Sequence, residues 1–238
     1  MKEIYPEYLT DQNIIYCPSD TEPNSLNNPT SGEPWAHLPC EDDDHGVGKA
    51  DISYSYYPWA LDNVDDETVP LAAFGLSTDT SLFGSAQALL YLMVLLDALP
   101  ARNITEAAGD PEAAVNIQYQ HTSEDIVFPD YAAYGSLYPA ALGALGPNHG
   151  NANGNKLLRL REGVERFMVT DINNPAGSAM AQSEIPIMGD QAGTQVQYFN
   201  HVPGGSNILY MDGHVQFEKY GESGLASRGW AVIAGLAG

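Results

Sequence analysis

Serine and tyrosine alternate from Ile52 to Trp59, in the run Ile-Ser-Tyr-Ser-Tyr-Tyr-Pro-Trp. A period of two fits a half-buried strand, and Pro58 closes it. Further along, Ala86, Leu89, Leu90, Met93, Leu96 and Leu99 recur at three- and four-residue spacing. That rhythm predicts a helix from about Leu82 to Leu99, capped by Thr80 or Ser81 and ended by Pro100. The stretch is short for a membrane span and carries Asp97, so it reads as a core helix. Late in the chain, Ile208–Tyr210 and Val215–Phe217 are two short β-prone runs on either side of Asp212-Gly213. An Asp-Gly pair between such runs predicts a hairpin, because both residue types tolerate positive φ. Pro203-Gly204-Gly205 just upstream is a turn that re-aims the chain.

Weaker patterns fill the rest. Tyr5, Tyr8 and Leu9 share a face of a short helix begun by Pro6, and Ile14-Ile15-Tyr16 runs extended into Cys17-Pro18. Residues 21–49 are a loop rich in Pro, Asn and Gly, with Trp35 as its anchor. Tyrosines and alanines recur at helical spacing over Ala132–Leu145, within an otherwise irregular stretch from 101 to 155. Lys156–Phe167 reads as an amphipathic helix or as a strand and turn, and Gln182–Asp190 as a strand followed by a turn. Together these elements predict an α+β fold: an antiparallel sheet, from strands near 52–58, 167–170, 185–188 and 207–218, packed on helix. One domain spans residues 1–238, with a helical and irregular insertion over about 75–155.

Charge changes the picture next. The 238 residues carry 31 acidic against 9 basic side chains, a formal net charge of -22. Such a surface repels nucleic acid and anionic lipid headgroups, and suits a saline medium or binding of divalent cations. Cys17 and Cys40 either close one loop by a disulfide, as in an exported protein, or stay reduced as two thiols. Asp42-Asp43-Asp44-His45 lacks the spacing and glycine of a calcium loop and reads as a solvated charge run. No phosphate-binding glycine loop, dinucleotide fingerprint, Gly-x-Ser-x-Gly or His-Glu-x-x-His occurs.

The remaining chemistry lies late in the chain. His201, Asp212 and His214, with Asp171 and Asp190 as further partners, offer ligand types for zinc or iron, whose bound water would serve a secreted metal-dependent hydrolase. The opposing reading is turn chemistry, in which Asp212 accepts backbone N–H groups and the histidines pair with neighbours. A calcium site is the other option, drawing on Asp171, Asn173, Asp190 and Asp212 for oxygen ligands. Tyr54, Tyr56, Tyr57 and Trp59 motivate a third reading, a carbohydrate- or surface-binding module.

The run Asn200-His201-Val202-Pro203-Gly204-Gly205-Ser206-Asn207-Ile208-Leu209-Tyr210-Met211-Asp212-Gly213-His214 resembles the C-terminal signature of the prepilin-type H-X9-DG proteins, the pilin- and pseudopilin-like family of planctomycete type. Ten residues, Val202 to Met211, separate His201 from Asp212 here, where the family name implies nine. Tyr5-Pro6-Glu7-Tyr8-Leu9 with Cys17-Pro18-Ser19-Asp20, and the run from Leu158 through Thr170-Asp171-Ile172-Asn173-Asn174-Pro175 to Asp190, also resemble that family. The likeness covers both ends of the chain and leaves out its middle. It implies a pilin-like head and a structural role without catalytic residues, in a type II secretion pseudopilus or a pilus-like filament of the periplasm or cell surface. The implied partners are further copies of itself and other pseudopilins. Contact with membrane would come only through an apolar N-terminal helix that this chain, opening on Tyr5-Pro6, is expected to lack. Calcium holding the C-terminal loops is a further expectation from the likeness.

Overall fold

The computed structural model describes residues 17, 19, 54–164, 182–194, 199–201, 204–221 and 224–235. Cys40, the strand expected near 167–170, Asp171, Asn173 and the Asp42–His45 run lie outside them. Among the described residues the chain is α+β, with helices packed against antiparallel sheet. The main sheet holds four strands in the order β1 (Tyr54–Tyr56), β6 (Pro186–Asp190), β7 (Gly205–Tyr210) and β8 (Val215–Lys219). Every pairing in it is antiparallel. Two ribbons accompany it, β2 (Glu67–Pro70) with β3 (Phe83–Ser85), and β4 (Ile126–Val127) with β5 (Lys156–Leu157).

Alternation along the strands sets the two faces of the sheet. Ser206 and Ile208 are buried on the inner face, whereas Val215 and Phe217 are 62% and 49% exposed on the outer one. Against the inner face pack Tyr57 and the last helix, α5 (Arg228–Ala234), whose Trp230 meets Tyr57 edge to face with ring centroids 5.6 Å apart. Trp230 thus anchors the C-terminal helix; Ser227 starts that helix by accepting the Trp230 N–H at 2.9 Å.

The central helix departs from its expected limits at both ends. It starts at Ala86, not Leu82, because residues 83–85 pair with β2 and leave Ser85 as the cap, accepting the Ala88 N–H at 3.3 Å. Gly84 lets that ribbon approach the core: a Cβ there would stand 2.8 Å from Cδ1 of Ile233. Asp79 meanwhile holds Ser81 in a turn through its backbone and its hydroxyl. Nor does Pro100 end the helix. α1 (Ala86–Met93) passes through a wide turn at Val94–Ala98 into α2 (Leu99–Glu106), with Pro100 in the first turn of α2. A proline ring collides with the carbonyl four residues back and brings no N–H. The wide turn, in which Leu99 N–H reaches the carbonyl of Val94, makes room for it.

Every residue of α1 is buried. The continuous run Ala86–Glu106 is long and apolar enough to cross a membrane by length and composition, yet α1 forms the middle of the core, beside Trp59, Leu71, Phe128 and Tyr138. Each fully buried Leu or Phe there contributes about 1.5–3 kcal/mol. The stretch expected to be irregular adds α3 (Pro111–His121), and the helical spacing over Ala132–Leu145 is met by α4 (Tyr138–Leu145). Lys156–Arg161 takes the strand-and-turn form, with an isolated bridge from Arg159 to Trp59. Arg159 also lies over the Trp59 ring, 4.8 Å from its centroid, while the indole N–H donates to the Glu124 carbonyl at 2.9 Å.

Candidate functional site

The hairpin forms where the sequence places it, but with a different turn. Tyr210 N–H bonds to the His214 carbonyl and Gly213 N–H to the Tyr210 carbonyl, so three residues, Met211 to Gly213, make the connection. Of these, Gly213 has positive φ (90°) and Asp212 does not. This is the three-residue hairpin in which glycine takes the left-handed position. Asp212 instead accepts the backbone N–H of His214 at 3.1 Å and stands 2.5 Å from its Nδ1. The His214 ring stacks on Tyr210, centroids 4.6 Å apart. Bonds from His214 hold the Asp212 carboxyl below its usual range.

His201 is elsewhere. It lies in the turn before β7, where its carbonyl accepts the Gly204 N–H. Its Nε2 lies 2.9 Å from Oδ2 of Asp190, whose side chain is 3% exposed. That oxygen also accepts the backbone N–H and the side-chain amide of Asn207, each at 2.8 Å. The β6–β7 ladder ends at Gly189 and Ile208, and the Asp190 carboxylate continues it by one bond. Asp212 binds the carbonyl of Gln182, at the opposite end of β6. Along β7, four residue-to-residue steps of about 3.3 Å each separate Asn207 from the start of that turn. His201, Asp212 and His214 therefore do not converge, and the hydrolase centre expected from them is not assembled. Asp190 and Asp212 stand equally far apart, so they do not share one calcium site.

A partner absent from the sequence reading joins His201 and Asp190. Cys17 is buried, and its Sγ lies 3.4 Å from Nε2 of His201. Its disulfide with Cys40 rests on a residue outside the described ones. Cys17, Asp190, His201 and Asn207 form the polar end of a pocket of about 250 Å³ on the outer side of the sheet, walled by Met188, Leu209 and Val215. Tyr54 also lines it; burial foremost, and then the nearby Cys17 and Asp190, raise its phenol pKa. The signal for this meeting was present in the sequence only as two segments, around residues 17 and 201, that carry the same family likeness. Nothing local joins positions 184 residues apart.

Other polar groups hold the helical part of the fold together. Asp97 accepts from three successive backbone N–H groups, those of Ser136, Leu137 and Tyr138. Asp62 accepts from Gln87 and Asn151 side chains at 2.8 Å each. Buried His121 stands 2.7 Å from Asn103 and 3.2 Å from Glu106. Of the aromatic residues that suggested a glycan surface, Tyr57 and Trp59 are buried core residues; Tyr56 is exposed. Compared with protein-family models, curated proteins and solved structures, the chain matches none.

Proposed function

We propose that this chain is the head of a structural subunit of a pseudopilus or type IV pilus-like filament in the cell envelope, acting by assembly and not by catalysis. One observation carries the reading: the residues that give the hairpin segment its family likeness serve the fold. His201 ties the incoming turn to Asp190. Gly205, at φ 149°, passes under the next strand so closely that a Cβ would stand 1.8 Å from the Glu218 carbonyl oxygen. Gly213 and Asp212 shape the hairpin turn. A signature spent on folding one hairpin is what a scaffold subunit requires, whereas an enzyme needs its polar groups convergent and unspent.

In this reading the head lies in the periplasm or outside the cell, and its partners are copies of itself and other pseudopilins. Calcium in this reading draws its oxygen donors from Asp212, or from Asp171 and Asn173. The test is N-terminal sequencing and intact mass of the protein purified from its native cells, with immunogold labelling of their surface. A processed apolar helix ahead of this chain and labelled filaments are the expected result. A mature protein without such a helix, dispersed as monomers, would overturn the reading.

A further inference from the structure

Two arrangements of a cysteine, a histidine and an aspartate are chemically distinct. In a nucleophile relay, the thiol and the carboxylate sit on opposite ring nitrogens, so the imidazole passes a proton between them. In a ligand set, all donors face one point. Here Sγ of Cys17 and Oδ2 of Asp190 both lie on Nε2 of His201, at 3.4 and 2.9 Å. The three donor atoms are all within 4.8 Å of one another. A relay is therefore excluded by geometry, and a common centre is favoured.

We propose that Cys17, Asp190 and His201 bind one zinc-class transition metal ion. Tetrahedral zinc, with bonds of about 2.0–2.3 Å, holds neighbouring donors about 3.3–3.6 Å apart. The sulfur–nitrogen separation already matches, and the nitrogen–oxygen pair needs to open by about half an ångström. A sulfur beside an imidazole selects zinc or its softer neighbours over calcium, which takes six to eight oxygens. In the metal-free protein Nε2 of His201 stands 2.9 Å from Asp190; on binding, the ion is held by the neutral imidazole, the carboxylate and the Cys17 thiolate, and the thiol proton is released to water. Asn207, anchored on the same carboxylate oxygen by backbone and side chain, fixes the orientation of Asp190. The 250 Å³ pocket opens on the set, so three protein donors leave a fourth position for water or a small ligand. The ion would also tie the segment at residue 17 to the far end of β6. This inference uses the His201–Asp190 contact that the filament reading takes as a folding contact, and the two fail separately: absence of the cobalt band removes the metal site alone, and absence of a processed apolar helix removes the filament alone.

Cobalt reports it directly. The reduced full chain is titrated with Co²⁺, then with Zn²⁺ in competition. The expected result is one ion per chain, a near-ultraviolet thiolate-to-cobalt charge-transfer band, and visible bands of tetrahedral intensity that Zn²⁺ abolishes. Cys17→Ser should remove the charge-transfer band and weaken Zn²⁺ binding at least about tenfold; His201→Ala should weaken it similarly. A wild-type spectrum without the band overturns the proposal, and it does so even where a variant fails to fold. Unchanged zinc affinity in Cys17→Ser overturns it too. So does a native protein in which Cys17 is held in a disulfide with Cys40, since the sulfur is then spent.

Discussion

The carboxylate of Asp97 accepts the backbone N–H of Tyr138 at 2.8 Å, 41 residues further along the chain. The N–H groups of Ser136 and Leu137 point to the same carboxylate. One acid on the wide turn of the core helix thereby caps α4 from outside. Gly135 leaves the space, since a Cβ there would stand 2.3 Å from Oδ2 of Asp97.

Asp97→Ala should destabilise the protein by about 2 kcal/mol, the upper range for loss of a helix cap. Burial opposes ionisation of Asp97, but the backbone bonds from Ser136, Tyr138 and Leu137 outweigh it and lower the pKa. A carboxyl lowered in the folded state adds stability above its unfolded value of about 3.9. That stability is lost as pH falls through the folded value. Urea unfolding at neutral pH and below pH 4 checks this: Asp97→Ala should narrow the acid-induced loss seen in the wild type.

Glu218 should show the opposite sign. Burial, and then the charge of Asp65, raise its carboxyl pKa against the lowering effect of its hydrogen bond from Tyr210. Burial raises that of Asp65 also. Both lie against Gly224, where a Cβ would stand 2.4 Å from Asp65 and 3.3 Å from Glu218. The folded state then holds protons that the unfolded chain releases, so stability falls as pH rises from the unfolded value through the folded one. Glu218→Gln should flatten that decline and leave stability at pH 7 equal or higher. Melting temperatures measured from pH 4 upward to pH 8 read the difference.

The two hairpin glycines should separate cleanly. Gly205→Ala forces a Cβ against the Glu218 carbonyl at a left-handed φ, and should cost about 3 kcal/mol or more. Gly213 also has positive φ, but a Cβ there would meet nothing within 4 Å. Gly213→Ala should cost only about 1 kcal/mol. Thermal unfolding of the two variants side by side gives the order.

Sheet faces give a third contrast. Ile208→Ala opens a cavity between β7 and the core and should cost about 3 kcal/mol. Val215→Ala, on the outer face of β8, should change stability by less than about 0.5 kcal/mol. Equal losses by denaturant titration would contradict the assigned faces.

Elements whose signal is local follow from the chain's residues alone. Asp212-Gly213 between two β-prone runs places the hairpin, and the Ser-Tyr alternation places β1. The leucine spacing places α1, because side-chain periodicity follows backbone geometry within a few residues. Tertiary structure decided what local signals cannot carry. Pro100 reads as a stop, yet the helix continues because the wide turn at Val94–Ala98 makes room for its ring beneath the buried α1. Thr80 and Ser81 are as good caps as Ser85, and only pairing of residues 83–85 with β2 selects among them. The three polar residues of the hairpin look like one site in sequence. The length of β7 instead parts His201 from Asp212 and His214, and it brings His201 to Asp190 and to a cysteine at the other end of the chain. Strand length and sheet register, which arise only when distant segments pair, set those distances.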